Sequence, residues 1–207
     1  MKLDSLFRPA TPDAADRLIA EHPLAQLVST DGDYFSVSSL PLLLEGATSV
    51  EAFLLGHFDR HNPHAEALRH QPRALALFTG VHGYISPSLR RNRRIAPTWN
   101  YATVRCELDV RFDERDEFTR DVLERLVAHM EAGRSDAWSI SDMGERYPGQ
   151  ARNIIAFRAR VLNIDAKFKL GQNEQPDNFA GIVDGLRQAG QTPLAEAMMA
   201  TKAKRAD

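Results

Sequence analysis

Three clusters of polar and aromatic residues in this 207-residue chain have the types and spacing to do chemistry. The first is Gly56-His57-Phe58-Asp59-Arg60-His61-Asn62-Pro63. A strand ending at Gly56 would run into a helix capped by Asn62, with Pro63 at its first position. Free N–H groups at that helix start, together with Arg60 and the histidines, can attract a phosphate; they also make an ordinary capped turn with solvated charges. His57, His61 and His64 do not follow a zinc-ligand spacing, so no metal site is expected. The second cluster runs from Phe78 to Ser88 and includes His82, Gly83, Tyr84 and Ser86. It offers a close backbone approach, a ring with a polar tip and hydroxyls, or simply a strand that turns at Pro87. No nucleophile-elbow sequence surrounds Ser86 or Ser88, and no catalytic residue is assigned. The third is Pro97-Thr98-Trp99-Asn100-Tyr101, where a large flat ring adjoins amide and hydroxyl groups. Such a set can hold a planar cofactor or begin a half-buried strand. Near the end, Lys169-Leu170-Gly171-Gln172-Asn173 places an ammonium beside two amides, either around a ligand or in a polar turn. Arg90, Arg91, Arg93 and Arg94 form a local basic patch, read as a solvated loop or as a cover over an anion.

The elements that must position these residues are mostly strands. Thr11-Pro12-Asp13 starts a helix that ends at His22-Pro23. Leu24–Ser29, Tyr34–Leu44 and Val50–Leu55 read as strands, with turns at Asp31-Gly32-Asp33 and Glu45-Gly46. A short helix is expected over Pro63–Leu68, and further strands over Ala74–Phe78 and Tyr84–Ser86. Trp99–Phe112 alternates as one long strand. Asp113 is expected to cap a helix whose apolar stripe is Phe118, Val122, Leu123, Leu126, Val127 and Met130, with Gly133 ending it. Ile154–Phe168 reads as the last strand, and two short helices flank Gly190–Pro193. Closely spaced strands with helices between and after them predict a mainly β, α+β fold: a β-barrel with helical additions, not a doubly wound sheet.

Composition bounds the rest. The chain is 43% hydrophobic and 26% charged, as soluble globular proteins are. A net charge of −2 argues against the whole molecule acting as a nucleic-acid binder. Single Cys106 rules out an internal disulfide framework and fits a reducing cytoplasm. No apolar run reaches membrane-spanning length and no signal-peptide core is seen, so a cytoplasmic protein without a membrane partner is expected.

Taken in order, four blocks resemble the PaiB-type FMN-binding family: Gly56-His57-Phe58 with Asn62-Pro63, Phe78 to Ser86, Pro97 to Tyr101, and Lys169 to Asn173. Ser39-Leu40-Pro41-Leu42 resembles that family's early strand. The resemblance implies one FMN-binding split-barrel domain over residues 1–207, with a helical C-terminal extension from about 170. It implies a homodimer that holds FMN and a role in negative transcriptional regulation, with DNA or a regulatory partner as a possible further contact. It makes Ser38, Ser39, His57, Arg60 and Lys169 the phosphate or ribityl contacts. His82, Tyr84, Ser86, Trp99, Asn100, Gln172 and Asn173 become the residues around the ring or the interface. The alternatives are an FMN-dependent oxidoreductase of the pyridoxamine-phosphate-oxidase-like group and a binding module without flavin. Val81, Leu89-Arg90 and Glu174 depart from the family pattern, and so bear on whether the pocket is retuned.

Overall fold

The structure is a computed structural model that describes residues 5–48 and 50–204. Its strands are β1 (Leu24–Thr30), β2 (Phe35–Pro41), β3 (Leu43–Ala47), β4 (Glu51–Asp59), β5 (Arg73–Ile85), β6 (Thr98–Asp113) and β7 (Ile154–Lys169). Its α-helices are α1 (Ala14–Glu21), α2 (Pro63–His70), α3 (Asp116–Glu131), α4 (Tyr147–Ala151), α5 (Pro176–Gln188) and α6 (Thr192–Ala203). The strands hydrogen-bond in the order β2-β1-β5-β6-β7-β4-β3. β2 and β3 are consecutive in the chain with only Leu42 between them, yet they stand at opposite ends of that order. A sheet whose ends are joined so tightly must curl on itself, and this is the closure that a split β-barrel needs.

The break at Leu42 corrects the single strand expected over Tyr34–Leu44. Pro41 has no N–H for the ladder, so β2 stops there. The Leu42 N–H instead bonds the Pro23 carbonyl at 2.9 Å, and its side chain is fully buried. The turn expected at Glu45-Gly46 also moves: both residues stay paired to β4, and the turn closes by the Val50 N–H to the Ala47 carbonyl. Gly46 has φ 84°, and a Cβ there would lie 2.3 Å from the Glu51 carbonyl oxygen. It marks a bend inside the strand rather than its end. The two strands expected at Ala74–Phe78 and Tyr84–Ser86 are one continuous β5, which runs through Gly80 and Gly83. Asp113 does not cap α3 itself. Its carboxylate accepts the Arg115 N–H at 3.0 Å, and the helix begins at Asp116.

The chain forms two compact units. One comprises residues 19–78 and 105–164, and the other residues 1–18, 79–104 and 165–207. In the first, Phe58, Phe112 and Phe157 pack ring against ring, with centroids 5.5 to 6.1 Å apart. Helix α3 covers Leu55 and Ala156 with Val122 and Leu126, as its apolar spacing requires. In the second, α5 and α6 bury Phe179, Ile182, Leu186, Leu194 and Met198 against Ile85 and Leu170.

Candidate flavin-binding face

The site is built on the strand ends of the second unit. Successive residues on a strand face opposite sides, so β5 and β6 each present two sets of side chains. The inner set faces the helical hairpin: Ile85 packs in its core, and the Asn100 amide lies 3.4 Å from Met198 Sδ. Gly83 is required here, since a Cβ would sit 2.6 Å from Gln191 Oε1 and 2.7 Å from a Leu194 methyl. The opposite set is open. Trp99 and Tyr84 are about half exposed, at 54% and 46%, far above what rings of this size show in a closed core. The His82 ring stacks on Trp99 with centroids 6.4 Å apart and planes 26° from parallel. Tyr84 meets Trp99 edge-on at 6.1 Å.

Two lysines of β7 have partners at the start of β6. The Lys169 ammonium bonds Thr98 Oγ1. Lys167 lies 5.6 Å from the Tyr101 ring centroid and 5.9 Å from that of Phe7. His82 Nδ1 sits 3.1 Å from the Gly80 carbonyl oxygen. A carbonyl only accepts, so Nδ1 carries the proton and Nε2 is left as the ring's acceptor. This face therefore offers flat π surface, one aromatic acceptor and fixed positive charge.

The expected site residues divide into three sets. His82, Tyr84, Trp99 and Lys169 stand on the open face. Asn100, Gln172 and Ser86 are spent on the scaffold. The Gln172 side-chain oxygen accepts the Leu170 N–H at 2.7 Å and its amide donates to the Phe168 carbonyl; Ser86 Oγ accepts the Ser88 N–H at 3.1 Å. Asn173 is exposed in the same turn. Ser38, Ser39, His57 and Arg60 belong to the other unit. All three guanidinium nitrogens of Arg60 are engaged: Nε with the Arg152 carbonyl at 3.2 Å, Nη2 with that of Ile154 at 3.0 Å, and Nη1 with Glu114 at 2.7 Å. The His57 ring has its Nδ1 enclosed and without a partner among the described residues, and burial lowers its basicity. Ser39 faces outward and bonds Gln26 at 3.1 Å, whereas Ser38 points to the opposite face and lies 2.9 Å from His64 Nδ1. Lys167 and Tyr101 join this face beyond the expected residues: each lies two residues along its strand from Lys169 or Trp99, and so on the same side.

FMN has a flat tricycle that needs aromatic surface and a phosphate that needs a cation. Trp99, Tyr84, His82 and Lys169 supply both, so the residues present fit the group. Fold and face together define a flavin-binding split barrel. The sequence profile of the family described as "Putative FMN-binding domain" matches residues 1–163, and the chain belongs to that family. FMN is the cofactor this membership assigns. Lys169 and the Gln172-Asn173 turn lie beyond the matched span. The chain is 24% identical over 199 residues to the protease synthase and sporulation protein PAI 2 of Bacillus subtilis, covering 96% of this chain and 94% of that one. An uncharacterized protein of Aspergillus fumigatus is 28% identical over 174 residues, 66% of this chain and 67% of its own. Among solved structures, the flavocytochrome Anf3 of Azotobacter vinelandii superposes with a TM-score of 0.65 at 13% identity, covering 87% of this chain and 77% of that one. The FAD and heme binding protein of Mycobacterium smegmatis gives 0.58 at 15% identity, covering 77% and 72%. These likenesses establish the fold.

Proposed function

We propose that the protein is an FMN-dependent regulator that works as a homodimer, with the flavin seated on the open face of β5, β6 and β7. The observation that carries this reading is the half-exposed Trp99–Tyr84–His82 group next to Lys169. The rings stack the tricycle and exclude water from one side of it, and the Lys169 ammonium balances the phosphate. Bound FMN supplies hydride or single-electron chemistry, while the protein positions it and tunes its surroundings. The His82 Nε2 acceptor suits an N–H on the flavin's polar edge.

The regulatory part of the proposal is supported by similarity to the sporulation protein along nearly the whole chain. With a net charge of −2, contact with DNA would need a local patch. Arg91, Arg93 and Arg94 are exposed and form one. The dimer is supported by the edge of the sheet: Phe35, Val37 and Leu24 are exposed on one face of β2 and β1, at 78%, 59% and 61%. Adjacent exposed apolar side chains such as Phe35 and Val37 suit an interface, and a second copy of the chain would cover them; Leu24 stands apart, beyond the Gln26–Ser39 pair.

A second reading, an FMN-dependent oxidoreductase in the cytoplasm, is favoured by the exposure of the aromatic face, which would leave a bound flavin open to a diffusing reductant. One purification separates the readings. Yellow protein that oxidises NAD(P)H steadily favours the oxidoreductase. Yellow protein that is inert to NAD(P)H but shifts promoter DNA in a salt-sensitive way favours the regulator. Colourless protein that ignores added FMN contradicts both.

A further inference from the structure

The outer face of α3 carries a recess that neither the core nor the flavin face uses. Val122 and Leu126 pack this helix on Leu55 and Ala156. Glu124, Val127, Ala128 and Glu131 fall at i, i+3, i+4 and i+7, so they share one stripe on the side turned away from Val122 and Leu126. A stripe left to water is expected to be polar. Here the chain folds back over it. Gly133, with φ 82°, turns the chain out of the helix, and the Trp138 N–H bonds Glu131 Oε2 at 3.2 Å. Ile140 is buried at the start of the next helical turn, where the Ser139 N–H donates to the Asp142 carboxylate at 2.8 Å. Between the helix and the returning chain lies a recess of about 460 Å³, a size typical of small-molecule sites.

The charges of this recess do not balance. Glu131 is the last residue of α3, at the carbonyl end of the helix, which is already negative. Its side chain is only 20% exposed. Its ion-pair partner Arg134 stands 3.7 Å from Oε1, too far for a hydrogen bond, and is itself 63% exposed. Glu124, the other acid of the stripe, is bonded to Arg120 at 2.8 Å. Trp138 lines the same recess and is 43% exposed, with no cation or second ring against its indole among the described residues. An indole face attracts cations, most strongly where water is excluded.

We propose that the recess binds a small, singly charged organic ammonium, with the charge between the Glu131 carboxylate and the Trp138 ring and the apolar body against Val127 and Ala128. The ligand displaces Arg134, whose contact with Glu131 is loose. A cation completes the charge that α3 leaves at this end, whereas an anion would add to it. A bare metal ion does not fit: no group of three or more His, Cys, Asp or Glu able to hold one occurs among the described residues. Every residue of the recess belongs to the first unit, so the inference stands apart from the flavin reading.

The test titrates the full chain with benzyltrimethylammonium, with benzyl alcohol as the neutral counterpart and phenylacetate as the anionic one. The indole N–H resonances of nitrogen-15-labelled protein report which tryptophan responds. Benzyltrimethylammonium should shift Trp138 saturably, benzyl alcohol should bind about ten-fold more weakly, and phenylacetate should not bind. Glu131→Gln keeps an acceptor for the Trp138 N–H and removes only the charge. It should weaken the ammonium about ten-fold and leave benzyl alcohol unchanged. Arg134→Ala removes the competing guanidinium and should tighten the ammonium several-fold, a gain that poor folding cannot imitate. The inference is overturned if the ammonium gives no saturable shift, if the three probes bind alike, or if either variant titrates like wild type. Saturation confined to the Trp99 indole would place the cation on the other unit and overturn it equally. The probes need no FMN, so a chain that binds no flavin defeats the flavin reading and leaves this test intact.

Discussion

Lys169 and Trp99 are the residues on which flavin affinity should depend most. Lys169 is held in place by Thr98, so its charge is pre-positioned, and Trp99 has the largest exposed ring on the face. Lys169→Ala should weaken FMN binding by roughly 1.5–3 kcal/mol, the range for a hydrogen bond to a charged group. Riboflavin, which has no phosphate, should bind the variant as it binds wild type. Equal losses for the two flavins would place the phosphate elsewhere. Trp99→Ala should weaken both, and parallel titrations by fluorescence quenching read out the difference.

The two enclosed histidines make stability depend on pH. Burial lowers the basicity of His57 and His64 from the ordinary value of 6.5, so the unfolded chain binds more protons once the pH drops to that region. Their contribution is complete above 6.5 and is lost as the pH falls through the depressed folded values. Urea unfolding followed by circular dichroism should therefore show a lower midpoint at about pH 5 than at about pH 8. His64→Gln should flatten part of that slope. A midpoint that does not move between the two conditions contradicts the assignment.

At the scale of elements, most of the framework was legible because local signals were strong. Asn62-Pro63 started α2 as expected, and the Asn62 side chain accepts the His64 N–H at 2.9 Å. Asn62→Ala should cost about 1 kcal/mol, measured by denaturant unfolding. Alternation fixed β6, and the apolar stripe fixed α3. Three signals misled or were too weak. Gly46 and the glycines of β5 resembled turn residues but serve bends and close approach. Pro41 ends β2 inside an apolar run that reads on to Leu44. The short helical turns of Ile140–Arg146 and α4 carry too little apolar periodicity to be read, although Ser139 and Asp142 do bond across their start.

The candidate site was legible only where ligand chemistry and strand alternation coincide, as at Tyr84 and Trp99. Arg60 resembled a phosphate contact by type, yet its partners Glu114, Arg152 and Ile154 are far away in sequence, and no spacing rule announces them. The same holds for Arg90 and Glu174, two of the departures from the family pattern. They lie 84 residues apart and form a bidentate pair at 2.5 and 3.2 Å, with the Arg90 side chain 2% exposed. Each departure accommodates the other. Leu89, beside them, fits against Gly181 and Gly185 of α5, and Val81 packs on the same helical core. Removing one partner of a buried pair strands the other charge, so Arg90→Met should destabilise by about 3–5 kcal/mol. Arg90→Met combined with Glu174→Met should recover most of that loss in the same unfolding assay.

For the molecule as a whole, seven strands are closed by the single-residue step from β2 to β3, and a helical hairpin backs the far ends of β5, β6 and β7. That backing leaves one side of those strand ends free, and it is the free side that carries the rings and lysines. Whole-molecule charge adds little at −2, so recognition of an anionic cofactor must come from local cations rather than from a long-range field. The exposed Phe35 and Val37 of β2 belong to the same scale. On the proposed homodimer, wild type should sediment as a dimer and the combined Phe35→Glu, Val37→Lys variant as a monomer; a wild-type monomer, or an unchanged mass, would contradict this face as the interface.

The most direct measurement is a titration of the purified protein with FMN, followed through the flavin's visible absorbance. One FMN should bind per chain with a structured, saturable spectral change, and Trp99→Ala should reduce it sharply. An unperturbed spectrum at all protein concentrations, or a Trp99→Ala variant that titrates like wild type, would contradict a flavin held on this face.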